Sequence, residues 1–315
     1  MRVTVVGAGV IGLVTAWRLA ESGYPVSVVA AEPPARTTSA VAAALWYPYR
    51  AFPASEVTRW SGHTYRALRE LSGTPGSGVR MRWGRELLRV VAGDPWWRPA
   101  VPALDRLDPG ELPDGYRDGW RLAVPVVDMP VHLAWLQERL AGHGVGIRIQ
   151  RLTALAELAG TADVVVNCTG LGAGHLLGDG EVTPVRGQIV VVEQFGLSEW
   201  LLDQQDEASL TYLVPREETV VLGGTAEEDS DHVEPSAAVA EQIRRRCAAL
   251  VPGAGRARIV AHRVGLRPAR PAVRLELDTA ERDVPVVHCY GHGGAGVTLS
   301  YGCAADVLKL VDSLA

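Results

Sequence analysis

The chain holds only four cysteines, Cys168, Cys247, Cys289 and Cys303, and no two of them form a C-x-x-C pair. That scatter points away from a zinc site and from a disulfide framework, and it fits a reducing cytoplasm. Positive charge is not in excess. The 31 Lys+Arg and 36 Asp+Glu give a net charge of −5, which leaves no broad cationic field for nucleic acid. No apolar run reaches the ~18 residues that a membrane-spanning helix needs. The apolar start, Met1 to Ala20, is interrupted by three glycines and does not read as a signal peptide. Internal repeats and long tracts of one residue are lacking too, so a low-complexity, disordered chain is not indicated.

What is present is an ordinary globular composition, 47% hydrophobic and 21% charged, over 315 residues. A chain of that length exceeds what one hydrophobic core usually serves, so two domains are expected. At the N-terminus Arg2–Val6 reads as a buried strand and Val10–Ser22 as a helix stopped by Gly23-Tyr24-Pro25. Val26–Ala30 follows as a second strand. This is a βαβ unit. Between its first strand and its helix lies G-A-G-V-I-G, which runs Gly7, Ala8, Gly9, Val10, Ile11, Gly12. Gly7 permits the tight turn, Gly9 leaves backbone free to approach a pyrophosphate, and Gly12 lets helix and strand pack closely. Glu32, 20 residues beyond Gly12, stands where an acid would meet an adenosine ribose, or else is a solvated loop carboxylate. The fingerprint alone does not separate NAD from FAD.

Further on, residues 51–124 are richer in Trp, Pro and Arg, which reads as a change of domain. Val131–Ala141 reads as a helix, and Asp163–Cys168 as a strand that returns to the first domain. Arg186–Glu193, Leu210–Val214 and Thr219–Gly223 read as strands of the second domain, with a helix over Pro235–Leu250. Val284–His288 reads as a strand, Gly291–Gly296 as a glycine loop and Thr298–Leu314 as a closing helix. The expected fold is mixed α/β, a Rossmann-like dinucleotide-binding domain with a second, largely antiparallel β domain for the substrate. The first comprises residues 1–50, 125–184 and 283–315, and the second 51–124 and 185–282.

Five segments carry a resemblance. They are Thr37-Thr38-Ser39-Ala40-Val41-Ala42-Ala43-Ala44-Leu45-Trp46-Tyr47-Pro48, Val166–Gly170, Arg186–Ile189, Gly265–Pro271 with Arg274-Leu275-Glu276, and His288–Gly296. In them the chain resembles the D-amino-acid oxidase family of flavoproteins along its whole length. The resemblance implies FAD, held by the fingerprint, by Thr37, Thr38, Ser39, Ala43, Ala44, Leu45 and Trp46, by Thr169 and Gly170, and by Gly293, Gly294, Gly296, Val297 and Thr298. The start of the last helix suits a flavin whose reduced ring carries negative charge. Where many members of the family have Asn and Tyr, this chain has Cys289 and Ala295, and Ala31 stands where relatives often place an acid.

The resemblance further implies that Arg274 and Tyr212 hold the substrate carboxylate and that the Gly294 carbonyl holds its amine. From residue type alone, Arg267, Arg270 and Arg274 are equal candidates, because the planar fork of arginine meets both carboxylate oxygens. Positioning then presents the Cα hydrogen to flavin N5, and no side-chain acid or base is required. The products are a 2-oxo acid, ammonia and hydrogen peroxide, with oxygen as acceptor. His288 and His292 read as loop-orienting groups, and no residue as a metal ligand. Rival readings are a D-aspartate or glycine oxidase of the same family, an NAD-dependent dehydrogenase, and a flavin-binding protein without turnover. A homodimer is expected. The stretch Leu201–Thr211 would form a short lid carrying Asp203, Asp206 and Glu207, so neutral and bulky D-amino acids are expected to be preferred over acidic ones. Arg216 would favour D-aspartate if it turned inward.

Overall fold

The computed structural model describes residues 1–204, 210–279 and 284–315. Among them the chain forms two sheets. The first has strand order β14-β15-β7-β1-β2-β6, with β1 (Val3–Val6), β2 (Val26–Ala30), β6 (Ile147–Ile149), β7 (Val164–Asn167) and β15 (Val286–Tyr290) all parallel. The edge strand β14 (Arg274–Asp278) runs antiparallel to β15. Every residue of β1, β7 and β15 is buried, as expected of valine-rich strands covered on both faces. The covering helices include α1 (Val10–Glu21), α3 (Ala54–Leu71), α4 (Met129–Gly142) and α7 (Gly296–Asp312), with α1 against α7 and α4, and α3 against α7.

The second sheet runs β12-β8-β11-β10-β9-β3-β5-β4, with β13 also pairing β8. Its strands are β3 (Val79–Leu88), β4 (Asp105–Arg106), β5 (Asp118–Val127), β8 (Thr183–Glu193), β9 (Trp200–Asp203), β10 (Thr211–Pro215), β11 (Thr219–Gly223), β12 (Glu227–Glu228) and β13 (Ile259–Ala269). All pairs are antiparallel except β3 with β9. Helix α6 (Ala237–Leu250) covers one face, and its N-cap Ser236 accepts from the Val239 N–H. Two short helices, α2 (Thr38–Val41) and α5 (Gly172–Leu177), complete the set.

Two segments sit on the other side of the expected division. Helix α3, placed with the substrate domain by its position in the chain, packs on α7 beside the first sheet. Strand β14 likewise extends the first sheet rather than the second. The helix is amphipathic despite its many polar residues: Val57, Trp60, Ser61, Thr64, Tyr65 and Leu68 are buried at helical intervals.

Candidate active site

A cavity of about 790 Å³ runs from the first sheet to the face of the second. At its dinucleotide end, Gly7 has φ +120°, and a Cβ there would stand 2.4 Å from the Cys168 carbonyl oxygen. Gly7, Ala8, Gly9, Val10 and Ile11 all line the cavity, and Gly12 does not. A Cβ on Gly12 would lie 2.0 Å from the Gly7 oxygen, so this glycine acts by letting α1 close onto the turn. The α1 N-cap, Gly9, supplies no side-chain cap, and the helix presents its positive end to the cavity. Val10 N–H donates to Ser39 Oγ at 3.0 Å.

Glu32 lines the same end, 3.4 Å from Arg36 Nε and 3.5 Å from Arg151 Nη2. Thr37, Thr38, Ser39, Ala43, Ala44, Leu45, Thr169 and Gly170 also line the cavity. Trp46 does not. Its ring is buried among Tyr65 and Trp97, and its indole N–H donates to the Ser61 carbonyl at 3.0 Å. Gly293, Gly294, Gly296, Val297 and Thr298 line the opposite wall, where α7 begins at a second N-cap without a side-chain bond. A cradle that a Cβ would fill and two helix starts whose own N-cap residues, Gly9 and Ala295, make no side-chain cap bond fit FAD at these residues.

At the far end of the cavity one row of residues crosses the second sheet in register. Ile189 pairs with Gly223, Gly223 with Tyr212, Tyr212 with Leu202, and Leu202 with Glu86. Paired residues share a face of the sheet. Ile189, Tyr212 and Leu202 accordingly line the cavity together. A Cβ on Gly223 would lie 1.8 Å from Tyr212 Cζ, so the glycine leaves the space in which the tyrosine ring lies. Burial raises the Tyr212 pKa, and the neighbouring Arg267 opposes the rise.

Arg267, not Arg274, is the arginine that the structure brings to Tyr212. It lines the cavity, with its guanidinium over Gly187, where a Cβ would stand 2.4 Å from Nη1. Nη1 donates to the Thr225 carbonyl at 3.0 Å, and among the described residues no carboxylate pairs with this arginine. Arg274 lies outside the cavity on β14, where Nε meets Glu276 Oε1 at 2.7 Å and Nη1 donates to Tyr290 Oη at 2.8 Å. Arg270 is tied to Asp179 and Glu181. Gly294 lines the cavity close to Tyr49. The sequence reading does not single out Tyr47, Tyr49, Gly187, Ile189 or Val214 as cavity residues; it holds Leu202, Gln204 and Leu210 only as part of the lid, and Arg267 only as one of three candidate arginines. A signal for Arg267 was available: Gly265 and Arg267 alternate on one face of β13, opposite Gly187 and Val185 of β8.

Arg216 does not turn inward. It is buried, 3.6 Å from Asp128, and its Nη2 donates to the Ala42 carbonyl at 2.8 Å. Asp203 likewise does not guard the entrance, since Tyr116 Oη donates to it at 2.6 Å and Arg89 lies 3.4 Å away. Asp206 and Glu207 lie outside the described residues.

His288 is wholly buried between Asn167 and Asp278. His292 lines the cavity, and burial lowers its pKa to about 4. Three of the scattered cysteines converge beside it. Sγ of Cys289 and Cys303 and a ring nitrogen of His292 lie within 4.8 Å of one another, and Cys168 contacts Cys289. The Cys289 contact and burial hold the Cys168 thiol well above its ordinary pKa. For Cys289 the Cys168 contact acts downward, but the Cys303 contact and burial prevail and the net direction is up.

No helix among the described residues is long and apolar enough to cross a membrane. The family model described as FAD dependent oxidoreductase matches residues 2–310. The chain is 51% identical over 310 residues to a D-amino-acid oxidase of Rubrobacter xylanophilus, covering 98% of this chain and 95% of that protein. It is 46% identical to a D-amino-acid oxidase of Streptomyces coelicolor, at 98% and 96% coverage. Among solved structures, glycine oxidase from Geobacillus kaustophilus superimposes with a TM-score of 0.83 at 21% identity, covering 99% of this chain and 94% of that one. With a glycine cradle, a cavity spanning two sheets and a family model matched along nearly its whole length, this chain belongs to the FAD-dependent oxidoreductase family.

Proposed function

We propose that the chain oxidises D-amino acids to 2-oxo acids, with FAD as cofactor, oxygen as electron acceptor, and ammonia and hydrogen peroxide as further products. The observation that carries the reading is the meeting of the half-buried Arg267 and Tyr212, in one cavity with the dinucleotide cradle. An arginine with no carboxylate partner among the described residues is a site for a substrate carboxylate. Arg267 binds both its oxygens, Tyr212 donates a further hydrogen bond, and the Gly294 carbonyl accepts from the amine. Bound FAD supplies the two-electron acceptor for the Cα hydrogen and the path from it to oxygen. Catalysis by the protein is chiefly positioning, with the amine bound neutral so that no side-chain base takes its proton.

The relatives named D-amino-acid oxidase, at 51% and 46% identity, support the choice of enantiomer. Cysteines that are all free support a reducing cytoplasm. A peroxide assay of the purified protein against paired D- and L-amino acids tests the reading. Turnover of L-forms only, or of neither form with FAD bound, would overturn it.

A further inference from the structure

Behind the far wall of the cavity stands a buried acid that the reaction above does not use. Glu86 is 5% exposed and occupies the end of the row that contains Tyr212 and Leu202. Tyr47 Oη donates to its Oε1 at 2.9 Å. Gln204 Nε2 donates to the same oxygen at 2.8 Å and lies 2.5 Å from Tyr47 Oη. Tyr47 and Gln204 line the cavity alongside Leu202, Leu210 and Val214, whereas Glu86 lies behind them.

Counting donors shows what this arrangement does. A tyrosine hydroxyl has one hydrogen to donate, and here it goes to Glu86. The Gln204 amide nitrogen is directed to Glu86 and Tyr47, which leaves its carbonyl as the group available to a ligand. With its donors turned outward to the acid, the Tyr47–Gln204 pair offers acceptors to a ligand beside Leu202, Leu210 and Val214. A ligand carboxylate brings only acceptors and negative charge, so it would remain unpaired there, and a buried polar group without a partner is costly.

We propose that Glu86, acting through Tyr47 and Gln204, determines side-chain specificity. It selects D-amino acids with apolar or hydrogen-bond-donating side chains and rejects those with a second carboxylate. This inference rests on the D-amino-acid reading of the site. It makes Glu86 a positioning residue, since it reaches the substrate only through the two side chains it orients. Replacing the carboxylate by an amide gives the cluster donors of its own and frees Tyr47 and Gln204 to turn theirs inward.

The test is the ratio of kcat/KM for D-glutamine over D-glutamate, two substrates of nearly the same shape, in the FAD-loaded wild type and in Glu86→Gln. The expected wild-type ratio is about tenfold or more in favour of D-glutamine, and Glu86→Gln should lower it by about tenfold. Equal changes in both substrates, leaving the ratio intact, would overturn the role of Glu86. D-leucine separates the two levels of the argument. If wild type oxidises D-leucine and the variant's ratio stands, only the specificity role fails; if wild type oxidises none of the three, the D-amino-acid reading fails and takes this role with it. Should Glu86→Gln not fold, Gln204→Leu asks the same question from the cavity side. Loss of the acceptor carbonyl should lower D-glutamine turnover relative to D-leucine, and an unchanged ratio would overturn the proposal.

Discussion

The guanidinium of Arg267 lies across Gly187, beside the half-buried Tyr212, at a spot where any side chain on residue 187 would collide with it. Two strands, β13 and β10, thereby place one cation and one hydroxyl against the same volume of cavity.

Arg267→Ala should abolish carboxylate recognition. Removing one partner of a buried charged pair costs about 2–5 kcal/mol, and ~1.4 kcal/mol is tenfold, so kcat/KM should fall by roughly 30-fold or more. Arg274→Ala should leave the kinetics near wild type, because that side chain serves Glu276 and Tyr290. Steady-state assays on both variants decide between the two arginines, and the reverse pattern would restore Arg274 to the site. Tyr212→Phe should be milder than Arg267→Ala, at about 1.5–3 kcal/mol for one hydrogen bond to a charged group.

Gly187→Ala should act as a displaced-arginine variant. Its new methyl would push Arg267 aside, so KM for amino acids should rise while flavin content stays at the wild-type level. Flavin absorbance and kinetics measured on one preparation check both halves, and an unchanged KM would show that the guanidinium binds from another position.

Gly7→Ala should do the opposite and lose the cofactor. The residue has φ +120° and no room for a Cβ beside the Cys168 carbonyl, so the variant should purify colourless while wild type purifies yellow and releases FAD on denaturation. A yellow variant with wild-type flavin content would remove Gly7 from the cradle.

How far the sequence spoke for itself differs between the two ends of the cavity. The dinucleotide end is local: Gly7 to Gly12 act within one turn, and Val26–Ala30 follows as the strand that its valines suggest. The substrate end is not local. Tyr212, Leu202 and Glu86 meet only through strand register, and no spacing in the chain reveals which strands are neighbours. Prolines at 268 and 271 hid the strand β13, although Pro268 is accommodated opposite Pro184, where neither residue has an N–H to offer. Arg274 drew the carboxylate role from the family resemblance alone, since the sequence offers three arginines within eight residues and says nothing of which way each one faces.

A pH dependence follows from the tie between α3 and α7. Burial alone would raise the pKa of Asp306, but hydrogen bonds from Arg59, Trp60 and Lys309 outweigh it and hold the value at about 2. A carboxylate depressed in the folded state contributes stability above its unfolded pKa of about 4, and loses it as pH falls through the folded value. Asp306→Asn should therefore lower Tm near neutral pH, with the gap to wild type closing between about pH 4 and pH 2. A gap that stays constant down to pH 2 would assign the effect to packing.

The convergence of Cys168, Cys289 and Cys303 has a consequence for how long the enzyme survives its own turnover. Hydrogen peroxide would be released into the cavity that Cys168 and Cys289 help to line. The species that peroxide attacks is the thiolate, and both sulfurs are held protonated. Their protection is thus a matter of charge state rather than of distance. It lasts while the core stays closed. Once the chain opens, Cys168 and Cys289 regain ordinary acidity, so oxidative inactivation should keep pace with unfolding rather than with the number of catalytic cycles.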